Sequence, residues 1–337
     1  MKNDLVKPCD PRQFPPTIPS QEYATTGGEV PAPRIAIAIP CYNEEVTVAK
    51  VVRDFAEGCP HAEIHVFDNG STDLTVQNAL GAGAIVHRVL ARGKGHVVRA
   101  IFRQLECDAL VIVDGDDTYS AKDVNQLIEP VLAGAADMVV ATRLEQHGEN
   151  SFRPFHMMGN KLFNLAINTL FRVTLRDVLS GYRAFSPRFA KTCPILSHGF
   201  EVETELTLRA IEHSFPIYEI PAPYRERPRG SLSKLRTVRD GVRVLLAIFR
   251  IFRDFRPLLL FGALGVGALF AGAILGLLVI DEFQQLHRVI GISRAMLAVG
   301  LCLFGGISLT AGITLDSINR RIHALYVLIA DEVILRK

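Results

Sequence analysis

From Arg34 onward, short apolar runs alternate with longer stretches whose apolar residues recur at helical spacing. The runs Ile35–Ile39, Glu63–Phe67, Ala84–Val89, Leu110–Val113 and Met138–Ala141 have the length and β-branched content of strands. Between them the spacing predicts helices over Glu44–Glu57, after Asp73, near His96–Leu105 and near Lys122–Leu132. Strands separated by helices of this length predict an α/β fold, a mostly parallel sheet with helices on both faces. In such sheets a ligand sits at the carboxyl ends of the strands. Three polar clusters fall there: Pro40-Cys41-Tyr42-Asn43-Glu44, Asp68-Asn69-Gly70 and Asp114-Gly115-Asp116. Their coincidence says more than any one of them.

The last third of the chain has a different pattern. Leu258–Ile280 is 23 residues without a charge and Ala295–Leu315 is 21. At 1.5 Å per residue each spans a hydrocarbon core of about 30 Å. The short link Asp281–Arg294 makes them a two-helix transmembrane hairpin with both outer ends on one side. Between Arg225 and Arg256 stand ten Lys/Arg against three acids, whereas the link balances two against two. The excess predicts that the flanks, the first domain and both termini are cytoplasmic. Within 231–257, Arg236, Arg239, Arg243 and Arg250 share one helical sector, and Val238, Val242, Leu245, Phe249 and Phe252 lie opposite. That pattern predicts an amphipathic juxtamembrane helix on an anionic membrane surface. The opening 1–33 is polar, carries seven prolines and has no apolar run, so a flexible lead-in is expected rather than a signal peptide. The predicted organisation is therefore a lead-in over 1–33 and a catalytic domain over 34–230. The amphipathic helix over 231–257, spans over 258–280 and 295–315, and a cytoplasmic tail over 316–337 follow.

Composition adds little. Hydrophobic residues make up 49% and charged residues 21%, apolar enough to support the membrane reading. The net charge of +2 is uninformative as a total, because the positive charge is concentrated between Arg225 and Arg256, and no nucleic-acid partner is expected. Six cysteines without a Cys-x-x-Cys pair or a Cys/His cluster predict reduced thiols, not zinc or disulfides.

The chemistry concentrates at the strand ends. Asp114 and Asp116, one residue apart where the apolar run stops, can reach one divalent cation, and hard oxygen ligands suit Mg²⁺ or Mn²⁺. The same acids could equally be turn and capping residues. Asp68 could accept from a nucleobase N–H, or the 68–73 stretch could simply turn the chain into a helix. Arg92-Gly93-Lys94-Gly95, before a helix, resembles a phosphate cradle without the Walker pattern.

Taken together, Pro40-Cys41-Tyr42-Asn43-Glu44-Glu45, Asp68-Asn69-Gly70-Ser71-Thr72-Asp73, Gly93-Lys94-Gly95 and Asp114-Gly115-Asp116 resemble, in order and spacing, the family-2 glycosyltransferases of the GT-A fold, a Rossmann-like sheet. The likeness continues through Gly159-Asn160, Asp177-Val178-Leu179-Ser180-Gly181-Tyr182-Arg183, Phe200-Glu201-Val202-Glu203-Thr204-Glu205 and the stretch 227–235. With the hairpin, it is similar to the polyprenyl-phosphate branch: dolichol-phosphate mannose synthases and bacterial undecaprenyl-phosphate glucosyltransferases. The resemblance implies that Pro40, Tyr42, Glu44, Asp68, Lys94, Asp114, Gly115 and Asp116 bind the nucleotide-sugar. Asp114 and Asp116 would hold the metal, with Thr118 standing where some relatives have a glutamine. It assigns Arg143 to the reaction and to the phosphates, and Arg153, Arg227, Ser233 and Lys234 to the acceptor phosphate. The implied reaction is inverting transfer of a hexose-type sugar, from a UDP-sugar, to undecaprenyl phosphate at the cytoplasmic face of the cell membrane.

Charge makes the mechanism intelligible. A phosphate monoester is anionic at pH 7, so its oxygen can attack the anomeric carbon without a strong base. Glu201, Glu203 and Glu205 are accordingly not assigned as a base. Several readings compete. A processive polysaccharide synthase resembles its relatives in a Gln-x-x-Arg-Trp motif, and this chain has no tryptophan. A non-catalytic nucleotide-sugar-binding scaffold would have lost the paired acids, and a nucleotidyltransferase leaves the hairpin without a purpose. GDP-mannose-dependent transfer of the dolichol-phosphate mannose synthase type stands as the alternative donor choice. Gly262, Gly265, Gly267, Gly305 and Gly306 permit close helix approach and with it homo-oligomers.

Overall fold

The computed structural model describes residues 6–8, 32–143, 164–197, 201–225, 249–250, 253–288 and 291–335. The chain forms two compact units, residues 1–237 and 238–337. The first is built on an eight-stranded sheet: β1 (Val6–Pro8), β2 (Ile35–Cys41), β3 (Ala62–Asp68), β4 (Ile85–Arg88), β5 (Ala109–Ile112), β6 (Met138–Thr142), β7 (Arg183–Phe185) and β8 (Ile217–Pro221). Their order is β1-β8-β6-β7-β5-β2-β3-β4, parallel throughout except for β7, which runs antiparallel between β5 and β6. The helices α1 (Val48–Gly58), α2 (Thr75–Gly81), α3 (Lys94–Gln104) and α4 (Val124–Leu132) connect the early strands. Each expected strand and helix is present, with ends displaced by a few residues.

Strand β2 shows why both faces are covered. Its alternation places Ile35, Ile37 and Ile39 in one core with Val48, Val52 and Phe55 of α1 and Leu127 and Val131 of α4. The intervening Ala36 and Ala38 present the opposite face, where their small side chains let α3 pack against the strand. Helices Pro187–Thr192 and Val202–Glu212 join α3 on that side. There Phe102, Phe185, Phe189 and Phe215 form an edge-and-stack cluster with centroids 5.1 to 6.2 Å apart.

The lead-in over 1–33 was not expected to pack, yet Val6–Pro8 adds to the sheet beside Ile217–Glu219. Pro8 has no N–H to donate, which suits a three-residue strand at the outer edge. The juxtamembrane helix expected over 231–257 lies, apart from 249–250 and 253–257, outside the described residues, as do Arg153, Arg227, Ser233 and Lys234.

In the second unit two helices, Pro257–Leu286 and Ile292–Leu335, run antiparallel. Both are long and apolar enough to cross a membrane, the first over Pro257–Leu286 and the second over Ile292–Ile322, each holding an 18-residue stretch with mean hydropathy of 2.5 and 2.0 respectively. They are longer than the uncharged runs because charged side chains continue a helix beyond the apolar stretch: Gln285 bonds Asp281 and Arg320 bonds Asp316, one turn apart. His287, left-handed at φ 52°, ends the first helix by donating its N–H to the Phe283 carbonyl. The seam is built from small residues. A Cβ on Gly265 would lie 2.8 Å from Leu309 Cγ and 2.9 Å from the Gly305 carbonyl, and Gly272 abuts Cys302 and Ala298 equally closely. Gly267 and Gly306, by contrast, meet nothing within 4 Å. Gly265→Val is therefore expected to cost about 1–3 kcal/mol of hairpin stability by overpacking, whereas Gly267→Val is expected to be near neutral. Melting in detergent reads the difference, and equal shifts would show the seam is not where it is drawn.

Candidate active site

The site assembles where β2, β3 and β5 end. The β5 backbone runs on into Asp114-Gly115-Asp116-Asp117, and this turn is packed from two sides by groups that tolerate no bulk. A Cβ on Gly115 would lie 2.6 Å from Cys41 Sγ, and one on Gly181 would run into the Asp114 carboxylate. Thr47, at the start of α1, donates its hydroxyl to the Gly115 carbonyl at 2.6 Å. Asp117 takes a left-handed φ of 58°, a conformation aspartate tolerates, and aims its carboxylate away at Lys50, 2.6 Å distant. Asp117 is thereby engaged apart from Asp114 and Asp116.

Asp116 is buried and accepts the Thr118 hydroxyl at 2.6 Å. Asp114 is more open, at 28% side-chain exposure, and is paired at 2.5 Å with Lys94 from the first turn of α3. Lys94 also reaches Glu203 of the Val202–Glu212 helix at 2.5 Å. Burial pulls the Lys94 pKa down, but the charges of Asp114 and Glu203 outweigh it and hold the ammonium well above its ordinary value. The two cations of the Arg92–Gly95 stretch thus diverge. Lys94 turns inward, and Arg92 lies over the Tyr42 ring at 4.8 Å and donates to its hydroxyl at 2.6 Å.

On the β3 side, Asp68 is buried and accepts the N–H groups of Gly70 and Ser71. It lines a cleft of about 210 Å³ with Gly70, Ser71, Arg88 and Val89. Asn69 ties the neighbouring loop together, donating to the Val89 and Ala91 carbonyls and accepting Gly93 N–H at 2.7 Å. Gly93 sits at φ 123°, open to glycine, and delivers Lys94 to the helix start. The Tyr42–Glu45 loop is stitched to the next turn: Asn43 N–H donates to Ser71, Glu44 N–H to Thr75, and Asn43 accepts from Thr72. Pro40 and Glu44 lie half-buried at the end of β2 and in this loop.

Arg143, just past β6, is held by Asp177 in a bidentate pair at 2.8 and 2.9 Å, and its guanidinium lies 5.5 Å from the Tyr224 ring centre. Burial opposes the Arg143 charge, yet Tyr119 and Asp177 together raise its pKa. Segment 222–225 is joined to the residues after the acidic turn by an antiparallel bridge between Tyr119 and Tyr224, and both phenols feel the charges of Arg143 and of the acidic turn. Tyr119 accepts Gly181 N–H at 3.1 Å, which ties the 177–182 loop to the same turn.

That loop hangs on Arg183, a wholly buried guanidinium donating to the Ser180 and Val178 carbonyls and to Thr207. Burial lowers its pKa to about 10. Glu219 on β8 accepts the N–H groups of Arg176 and Asp177 from the other side. Among the residues to which sequence reasoning gave no role, Asp177, Gly181, Arg183 and Glu203 shape the site most. Each lay within a motif that carried the family resemblance, which was the available signal. Glu205, on the same helix, instead holds the backbone of Leu196 and Ser197, and Glu201 is exposed.

Among the described residues no group of three or more His, Cys, Asp or Glu could hold a metal ion. The donor set offered by Asp114 and Asp116 is thus two hard carboxylates, with the Thr118 hydroxyl donating to Asp116. Such a pair fits Mg²⁺ or Mn²⁺, which keep positions for phosphate oxygens and water.

A mostly parallel sheet with this acidic turn at the end of a central strand defines a glycosyltransferase of the GT-A type. The family model described as glycosyl transferase family 2 matches residues 36–192. A glycosyltransferase of Haloferax volcanii, AglJ, is 32% identical over 282 residues, covering 81% of this chain and 92% of that protein. The chain belongs to glycosyl transferase family 2. It is also 28% identical over 235 residues to the polyprenol monophosphomannose synthase of Mycolicibacterium smegmatis, covering 66% of this chain and 86% of the relative. Glucosyl-3-phosphoglycerate synthase of Mycobacterium tuberculosis, solved with Mn²⁺, UDP and phosphoglyceric acid, shares the fold with a TM-score of 0.51 and 23% identity over 64% of this chain and 78% of that one.

Proposed function

We propose that the protein transfers a hexose-type sugar from a nucleotide-sugar, a UDP-sugar, to undecaprenyl phosphate at the cytoplasmic face of the cell membrane, with inversion and with a divalent cation. One observation carries this reading: the paired acids Asp114 and Asp116 end a buried strand in a chain that also carries two apolar helices of spanning length. The synthase names of the polyprenol relative and the Mn²⁺ and UDP of the structural neighbour agree with it.

Asp114 and Asp116 would hold the cation, which when bound neutralises the departing diphosphate. Asp68 and Tyr42 border the nucleoside, with Pro40, Glu44 and Gly115 shaping the same wall and Lys94 beside the diphosphate. Arg143 presents its charge to the acceptor phosphate. It is preorganised by Asp177, so little reorganisation is needed as charge moves. Arg153, Arg227, Ser233 and Lys234 complete the acceptor side. The acceptor oxygen is already anionic, so Glu203 is not required as a base, and its engagement with Lys94 agrees with that.

The test uses detergent-solubilised full chain, undecaprenyl phosphate, Mn²⁺ and a panel of labelled UDP-glucose, UDP-N-acetylhexosamine, a UDP-uronic acid and GDP-mannose. A lipid-extractable label from one UDP-sugar is expected. Label from GDP-mannose alone would favour the second reading, to which the mannose synthase relative points. No label from any donor would leave a nucleotide-sugar-binding scaffold.

A further inference from the structure

Lys94 is placed where a divalent cation would have to compete with it. Its ammonium lies 2.5 Å from Asp114 and 2.5 Å from Glu203, and its side chain is only 12% exposed. The Asp114 carboxylate cannot move towards the 177–182 loop to make room, because it is backed there by Gly181 at a distance that admits no Cβ. The ammonium cannot retreat inward either. The void behind it, walled by Val98, Ile112, Phe185 and Leu206, amounts to about 10 Å³, no more than a single water needs. The 12% of the side chain that is exposed leaves room for movement towards solvent.

We propose that Lys94 is the resident counter-cation of Asp114, that a divalent ion loads by displacing it, and that the nucleotide diphosphate then receives the displaced ammonium. Glu203 is a positioning residue: by sharing the ammonium it weakens the hold of Asp114 and guides its exit. Cation and nucleotide consequently bind as a coupled pair, each strengthening the other. The inference rests on the metal reading of Asp114 and Asp116 given above.

The test measures Mn²⁺ binding directly, by the electron paramagnetic resonance of free Mn²⁺, on the full chain in detergent with and without UDP. Wild type is expected to bind Mn²⁺ weakly alone and more tightly with UDP. Lys94→Met is expected to bind Mn²⁺ alone about tenfold more tightly, and to gain less from UDP. The double variant Lys94→Met/Glu203→Gln removes one charge of each sign, so a mere sum of charges leaves its affinity at the wild-type value. Displacement predicts that it too binds Mn²⁺ more tightly, and its balanced charge protects the fold if the single variant is unstable. A double variant that matches wild type overturns the inference. If Asp116→Asn binds Mn²⁺ as wild type does, it is the metal reading itself that falls. A second readout is acetylation of Lys94 in the wild-type protein, followed by mass spectrometry. Mn²⁺ is expected to expose the amine and raise its labelling several-fold, and unchanged labelling at saturating Mn²⁺ would also overturn displacement.

Discussion

Asp116→Asn is expected to lower sugar transfer by about 10²–10³-fold, the scale of losing one preorganised stabiliser of developing charge. The substitution keeps the volume of the side chain and an oxygen for the Thr118 hydroxyl, so the acidic turn retains its shape. What it removes is one of the two negative charges proposed to hold the divalent cation. The neighbouring Asp117→Asn supplies the contrast. Asp117 points at Lys50, the lysine 47% and the aspartate 11% exposed, so its loss is expected to weaken the turn's packing while leaving transfer close to wild type. Initial rates of lipid-linked product, measured for both variants at saturating donor, decide the matter. Equal activities would mean that Asp116 is a turn residue and no more.

The second large effect is on stability. Asp177→Ala is expected to cost about 3–5 kcal/mol, because it removes one partner of a buried ion pair and strands the other. The Asp177 side chain is wholly buried and accepts Arg143 through Nε, Nη2 and the backbone N–H, with Leu179 N–H as a further donor. Without it the guanidinium keeps, among the described residues, the Tyr224 face and the influence of Tyr119. For a domain of this size each kcal/mol moves the melting temperature by about 2–4 °C, so a fall on the order of 10 °C is anticipated. Thermal melting of the full chain in detergent reads it. A shift of about 2 °C or less would show that the pair contributes little and that Arg143 is held by something else. Asp177→Asn, which still accepts one guanidinium N–H, should fall between the two.

The pattern of apolar residues determined most of the sheet by itself. Ile35–Cys41 alternates between large and small side chains because one face meets α1 and α4 and the other meets α3. Strand and helix periods are properties of consecutive residues, so they can be read without knowing any partner. The placement of Asp68 and Asp114 at strand ends followed from the same reading, as did the two apolar helices. The spans came out shorter than the helices because lack of charge marks a hydrocarbon core rather than the end of the hydrogen-bonded ladder.

Other features were decided in three dimensions. Strand β7 is three residues long, and it finds its place only because Phe185 pairs with both Leu110 and Met138, from opposite sides and far away in the chain. The contact of Lys94 with Asp114 and Glu203 depends on α3, β5 and the Val202–Glu212 helix converging. The clamp of Asp177 on Arg143 depends on a loop hung from the buried Arg183. None of these pairs is neighbouring in sequence, and a charged residue carries no mark of which opposite charge it will meet. Local backbone geometry therefore settled the elements and the candidate acids. The sheet order, which brings distant strand ends and helix starts to one place, settled which charges face the site, which are locked in pairs and which are turned away.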